Sequence, residues 1–347
     1  MAHSREGAPR PNGSMPQWYQ ELKQFQQGSW GEGSVQLVNT LIPYLAIMTL
    51  ITYATVNAWA YWAIAPMVLP AALFLVRTFI LFHDCAHGSF LPSKRMNRII
   101  GFVTGVLTFT AYEQWRLSHL KHHATNGQLD HRGFGDILTM TYEEYRDATT
   151  LQRLTYRAYR NPLVLFILGP FYNFIILNRF MGLRGTRAER RSVVSSNLAI
   201  AGIAVGVSLA FGFRTYLLVQ MPVILVAGMM GIWLFYVQHQ FEPGYWAHDE
   251  DWSKLDAAMH GASYYKLPPV LRWFTGNIGI HHVHHLTPRI PNYRLRRAFL
   301  AVPQAHVKPL TLWESFRSTR VNLWSEVQQR VLSFRQAHRL MRDEARA

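Results

Sequence analysis

Hydrophobic residues in this sequence gather into long, nearly uninterrupted runs instead of recurring with the period of an amphipathic helix or a half-buried strand. The runs at 36–57, 62–82, 195–213 and 217–238 are each long enough to cross a bilayer as an α-helix, which takes roughly 17–25 residues. They come as two close pairs. The turn inside the first pair is the uncharged "AWAY", and the turn inside the second carries only Arg214. Two shorter apolar stretches, 99–112 and 161–177, suit interfacial or re-entrant helices, the second being interrupted by Gly169-Pro170. The expected fold is an all-α integral membrane protein. Four transmembrane helices form two hairpins, supplemented by interfacial or re-entrant helices and by a helical cap on one side of the membrane.

The polar segments divide the chain further. Residues 1–35 read as a polar, Gly- and Pro-bearing N-terminal arm with a helix around 16–28, and without the apolar core of a signal peptide. Residues 36–325 form the membrane domain and 326–347 a basic C-terminal tail. The whole stretch 303–347 has the pattern of a basic amphipathic helix. Lysine and arginine outside the tails concentrate in 94–160, 179–191 and 266–297, which the positive-inside rule places in the cytoplasm together with both termini.

Composition changes this picture in two respects. A net charge of +15 calls for an anionic partner, and with 49% hydrophobic and 16% charged residues the partner is the headgroups of anionic lipids, not nucleic acid. The lone cysteine, Cys85, excludes an internal disulfide and a four-cysteine zinc or iron–sulfur site.

Histidine carries the candidate chemistry. Eight of the 16 histidines fall in three clusters: His83 and His87 at i, i+4; His119, His122 and His123 at i, i+3, i+4; and His281, His284 and His285 with the same spacing. Each spacing puts its imidazoles on one helix face, and all three clusters lie on segments assigned to the cytoplasm by charge. Imidazole suits zinc, copper, nickel and iron. Eight imidazoles exceed the four ligands of one zinc and fit two metals. The carboxylate-rich di-iron alternative requires Glu-x-x-His pairs, and the sequence contains none, nor any His-Glu-x-x-His. A histidine-rich di-iron site is the reading left. His239, at the membrane end of the fourth run, is a ninth candidate. His282 lies about 100° around the helix from His281, off the ligand face. His131, His248 and His260 are isolated.

The stretches "FHDCAHGSF", "WRLSHLKHHATNGQLDHRGFGD", "FYVQHQFE" and "TGNIGIHHVHHLTPRIPNYRL" resemble the membrane fatty acid desaturase superfamily, over roughly residues 40–325. They are similar in particular to bacterial acyl-lipid (phospholipid) desaturases of the Δ5/Δ12-like type. The resemblance implies that His83, His87, His119, His122, His123, His281, His284 and His285 are iron ligands, with His239 as the ninth. It implies two iron ions, O2 as co-substrate, and placement in a bacterial inner (cytoplasmic) membrane with the site on the cytoplasmic side. The reaction implied is insertion of a cis double bond into a fatty acyl chain esterified in membrane phospholipid. Stearoyl-CoA-type members carry an asparagine four positions before the ninth histidine. Phe235 stands there in this chain, and Gln238, Gln240 and Asn277 are candidates to substitute for it. Asp84, Asp136, Glu242 and Asn277 are candidates to orient the ligands from a second shell. No dinucleotide-binding fingerprint or fused haem domain is present, so electrons come from an external donor, a ferredoxin or flavodoxin with its reductase. The alternatives are a related acyl-chain hydroxylase, a fatty acid decarboxylase forming terminal alkenes, and a metal-binding membrane protein or transporter without catalysis.

Overall fold

A computed structural model describes residues 15–133, 135–180 and 185–346. It is mostly helical, and four helices are long and apolar enough to cross a membrane: α1 (Trp30–Val56), α2 (Tyr61–His87), α5 (Arg187–Phe211) and α6 (Phe213–His239). Between α2 and α5 lie α3 (Lys94–Leu107) and α4 (Tyr112–Thr125). After α6 come α7 (Pro269–Phe274), α8 (His281–Leu286) and α9 (Asn292–Ala301). Helix α2 is the hub, packed against α1, α3, α4 and α6, while α6 pairs with α5. Leu198, Val205 and Leu209 of α5 are exposed, as befits a helix that meets lipid.

The local chemistry explains where these helices begin and end. The Ser29 hydroxyl caps α1 by accepting from the Glu32 N–H, and Ser93 caps α3 from the Met96 N–H. Helix α2 ends immediately after His87 because Gly88 takes the left-handed conformation, φ +65°. Helix α3 has 14 residues, so at about 1.5 Å per residue it spans about 21 Å, less than a bilayer core. The stretch 161–177 forms two π-helical turns, Val164–Leu168 and Phe171–Ile176. With Thr150–Tyr159 it makes a pair bent by 57°, a fifth span if the pair is counted as one.

One expectation from sequence needs correction. The stretch 303–347 is not one amphipathic helix. It contains the strand Pro309–Thr311, which pairs in parallel with Tyr264–Lys266, and the strands Leu323–Ser325 and Arg330–Leu332. The latter two form a sheet with Met140–Thr141, and helix resumes only at Phe334–Glu344. Trp324 is 2% exposed in that sheet, so this end of the chain is part of the cap's core. Helix α1 begins at Trp30, within the arm expected over residues 1–35, whose first 14 residues lie outside those described. Leu22 is buried, Gln26 Nε2 donates to Thr287 Oγ1 at 2.6 Å just after α8, and Glu32 pairs with Arg294 of α9 at 2.7 Å, so the rest is laid against the end of α8 and the start of α9.

One buried cation ties the cap together. Arg160, 2% exposed, donates to the Leu138 and Val321 carbonyls, the Tyr236 hydroxyl and Gln240 Oε1, and has no carboxylate partner among the described residues. Removing it strips a charged donor from each of these groups, and a buried acceptor left without a partner costs about 1–3 kcal/mol. Arg160→Ala is therefore expected to unfold the cap at a clearly lower temperature in detergent. A wild-type midpoint in a thermal melt would contradict this accounting.

Candidate metal centre

The sequence order of the helices brings four histidine-bearing segments to one place. Helix α2 delivers His83 and His87 in its last two turns, α4 delivers His119, His122 and His123, α6 ends on His239, and α8 delivers His281, His284 and His285. Helix α8 is held by the His281 N–H, which donates to the Ser263 carbonyl, and by the turn before it. In that turn Gly276 has φ +55°, and a Cβ there would stand 2.8 Å from both Ile80 of α2 and Asn292 of α9. The positive φ and the close approach both require glycine.

The nine histidines form two groups. His83, His87, His119, His123 and His284 make one, His122, His239, His281 and His285 the other, and the ligand atoms in each group lie within 4.8 Å of one another. The division cuts across the sequence clusters. In α4 the i and i+4 residues join the first group and the i+3 residue the second. In α8 the i and i+4 residues, His281 and His285, join the second group, and the i+3 residue, His284, joins the first. Helix phase is the reason: i and i+4 are about 40° apart, while i+3 lies about 60° to the other side. The groups are neighbours, with the His123 and His285 rings stacked at 4.2 Å.

Within each group Nε2 faces Nε2. In the first, His87–His119 is 3.0 Å, His119–His123 3.1 Å and His123–His284 3.1 Å. In the second, His122–His239 is 3.1 Å, His239–His281 3.0 Å and His281–His285 3.1 Å. Donors at a metal–nitrogen distance of about 2.1 Å and at right angles to one another stand about 3.0 Å apart. His83 Nε2 is buried without any hydrogen-bond partner. Burial, reinforced by the neighbouring imidazoles, holds His119, His122, His123, His281, His284 and His285 well below the ordinary imidazole range. They are neutral and keep a lone pair free, the form a metal binds. Each group therefore fits a metal ion held by imidazole.

The surroundings orient some of these rings. Asp84 Oδ1 lies 3.1 Å from His83 Nδ1, and its Oδ2 accepts from the Asn292 backbone N–H at 2.6 Å and from Asn292 Nδ2 at 2.8 Å. His239 Nδ1 faces the Gly261 carbonyl at 3.3 Å, and Trp115 stacks on His119 at 4.2 Å. Asn277 donates to the Asn292 carbonyl, with Asn292 and Asp84 standing between it and the His83 ring. Asp136 and Glu242 do not meet a ligand ring. Asp136 accepts from the Gly133 N–H, closing its own loop, and Glu242 is exposed. His282 turns away, its Nε2 on the Ala305 carbonyl at 2.9 Å. Phe235 packs on the His122 and His239 rings, at 5.4 and 5.1 Å between centroids. Of the three residues considered to substitute for it, the Gln238 amide donates to the Ile278 carbonyl and Gln240 is engaged with Thr139 and Arg160. The third is Asn277. Sequence reasoning missed Asn292. The available signal was Pro291-Asn292 opening a helix, where backbone N–H groups favour a carboxylate.

Helices of membrane-spanning length and two histidine groups, each able to hold a metal ion, define the class as a helical membrane protein with a candidate metal centre. Comparison with known proteins supplies the family. A family profile described as fatty acid desaturase matches residues 57–316. The chain is 46% identical over 316 residues to a fatty acid desaturase of Bacillus subtilis (strain 168), covering 91% of this chain and 89% of the relative. It is 23% identical to an sn-1 oleoyl-lipid 12-desaturase of Synechocystis sp., covering 87% and 81%. It is also 27% identical to an sn-1 acyl-lipid omega-3 desaturase (ferredoxin) of the same organism, covering 71% and 67%. The protein belongs to the fatty acid desaturase family, and it is an oxidoreductase that introduces double bonds into fatty acyl chains.

Proposed function

We propose that the two histidine groups each hold one iron ion, with His83, His87, His119, His123 and His284 on one and His122, His239, His281 and His285 on the other. The substrate is then an acyl chain esterified in membrane phospholipid. The observation that carries this reading is the nine-imidazole set, with no carboxylate in either group, gathered at the ends of apolar helices. Bound iron supplies O2 activation strong enough to remove two vicinal hydrogens from an unactivated chain, with two electrons delivered from outside.

The chain's own residues prepare that chemistry. The Asp84 carboxylate accepts the Nδ1 proton of His83 and so turns Nε2 inward, and the Gly261 carbonyl does the same for His239. Trp115 fixes the His119 plane from one side, while Phe235 covers two rings of the four-histidine group and keeps water from them. The acyl-lipid and ferredoxin-dependent names of the relatives support a phospholipid substrate and a ferredoxin or flavodoxin as donor. The arginine- and lysine-rich segments beside the site support a cytoplasmic face in a bacterial inner membrane, where anionic headgroups and an acidic donor both find complementary charge.

The test is expression in a host lacking this activity, with metal analysis of the purified protein and mass spectrometry of host phospholipids. Two irons per chain and new unsaturated chains in phospholipid are expected. One zinc per chain with an unchanged lipid profile would overturn the reading, and hydroxylated chains or terminal alkenes would replace it with a sister activity.

A further inference from the structure

A second polar site lies beside the metal centre, where α1 and α2 meet α7 and α9. It is a cleft of about 410 Å³ whose lining includes Arg77, Arg272, Arg296, Arg297, Gln36 and Asn292. Four guanidiniums converge there, and only Arg297 has a carboxylate near, Glu32 at 3.5 Å. Arg272 and Arg296 have no ion pair among the described residues. Arg77 is the telling residue. It lies inside the spanning helix α2, is 4% exposed, and has only neutral partners: Nε donates to Thr40 Oγ1 at 3.0 Å, Nη1 to the Trp273 carbonyl, and the guanidinium lies 3.8 Å over the Trp273 ring. Arginine carries five N–H donors in a planar fork. These contacts leave Nη2 for the cleft that Arg77 lines. An arginine buried on a membrane-length helix where it meets the cap, without a counter-ion among the described residues, is a functional feature by default.

The rim of the cleft identifies the kind of anion. Leu300 and Trp273 line it and Val270 adjoins it, all three exposed, with Val270 66% so. An anion with apolar chains attached satisfies both the arginines and this rim, while a free inorganic anion satisfies only the arginines. We propose that the cleft holds the phosphodiester of a membrane phospholipid. Resting on the acyl-lipid reading above, we further assign it as the headgroup site of the substrate. Its position agrees. Asn292 lines the cleft and also donates to Asp84, which orients His83, and Arg77 precedes His83 by six residues, about 9 Å along α2. A headgroup seated there starts its acyl chain within a few carbons' reach of the histidine groups. Arg77, Arg272 and Arg296 are thus positioning residues that set how far along the chain the metal centre acts.

The test uses the iron-loaded protein in phosphate-free detergent micelles, given reduced ferredoxin, O2 and either phosphatidylglycerol or a diacylglycerol with the same saturated chains. Arg272→Gln/Arg296→Gln is expected to raise KM for phosphatidylglycerol about tenfold with kcat within about twofold, the size of a lost charge-assisted contact. With diacylglycerol, wild type is expected to show the same high KM as the variant. Arg320→Gln/Arg335→Gln, which removes two charges from a separate arginine-lined cleft, is expected to keep the wild-type KM. An equal rise in that control, or equal wild-type KM values for the two lipids, would overturn the assignment. Competitive inhibition by inorganic phosphate at concentrations similar to the lipid's would assign the cleft to free phosphate and overturn it too. Lipid retained through purification is measured alongside by mass spectrometry. Wild type is expected to retain phosphatidylglycerol in preference to diacylglycerol, and the Arg272/Arg296 variant to lose that preference. If wild type desaturates neither lipid, the acyl-lipid reading fails by itself, and the retention measurement still decides whether the cleft binds a phosphodiester.

Discussion

His284→Ala is expected to yield no unsaturated acyl chains while the polypeptide stays in the membrane fraction, and to lose the iron of one group only. His284 stands in the five-histidine group with Nε2 3.1 Å from that of His123, although its neighbours His281 and His285 belong to the other group. This makes a specific pattern of additivity. His119→Ala/His284→Ala removes two ligands from one group and is expected to keep about one iron per chain, as each single variant does. His281→Ala/His284→Ala takes one ligand from each group and is expected to lose both. Residues that share one site do not add, and residues in separate sites do. If the variants sorted by sequence cluster instead, with His281 and His284 behaving as one unit, the division of the helices between two metals would be wrong.

The second large effect concerns Asp84. Its two oxygens serve different partners: Oδ1 the His83 ring, Oδ2 the Asn292 backbone and side chain. Asp84→Asn removes the negative charge and turns one acceptor into a donor, so it cannot satisfy both. Loss of such an orienting carboxylate usually costs 10–100-fold in metal affinity or activity. A loss of that size is expected in competition with a chelator, confined to the group containing His83. Asp136→Asn and Glu242→Gln, whose carboxylates meet no ligand ring, are expected to retain iron like wild type. Equal loss from Asp136→Asn would mean that charge in the region, not the bond to His83, is what matters.

The four spans were legible because a bilayer demands a length and hydrophobicity that no other single helix among the described residues has. The histidine boxes were legible because i, i+3, i+4 spacing is a local property of a helix. What was not legible is how the boxes are shared. That depends on the rotation of α4 and α8 about their own axes, and a rotation of tens of degrees reassigns His122 and His284 without changing the spacing. The C-terminal sheet was hidden for a different reason. Strands of two or three residues, such as Met140–Thr141 against Leu323–Ser325, are too short to show a period, and their partner lies far away in sequence. Residues 303–347 therefore showed only their charge and a helical pattern that holds for Phe334–Glu344. Asp84 could be picked out as a carboxylate next to a ligand. Asp136 and Glu242 were candidates only as carboxylates in the stretches that follow a ligand, and the course of their loops takes them away from the rings.

The contacts of the N-terminal arm and the start of α1 with residues 287–294 bear on how the molecule comes to be made. Gln26 reaches Thr287, Ser29 reaches Tyr293, Glu32 reaches Arg294 and Gln36 reaches Asn292, each across more than 250 residues. The five-histidine group is complete only with His284 and the four-histidine group only with His285, and the segment that clasps this region is synthesised long before either. A nascent chain must therefore insert both hairpins and reach its last histidine box before either group closes. A polypeptide released before that box carries neither group in full.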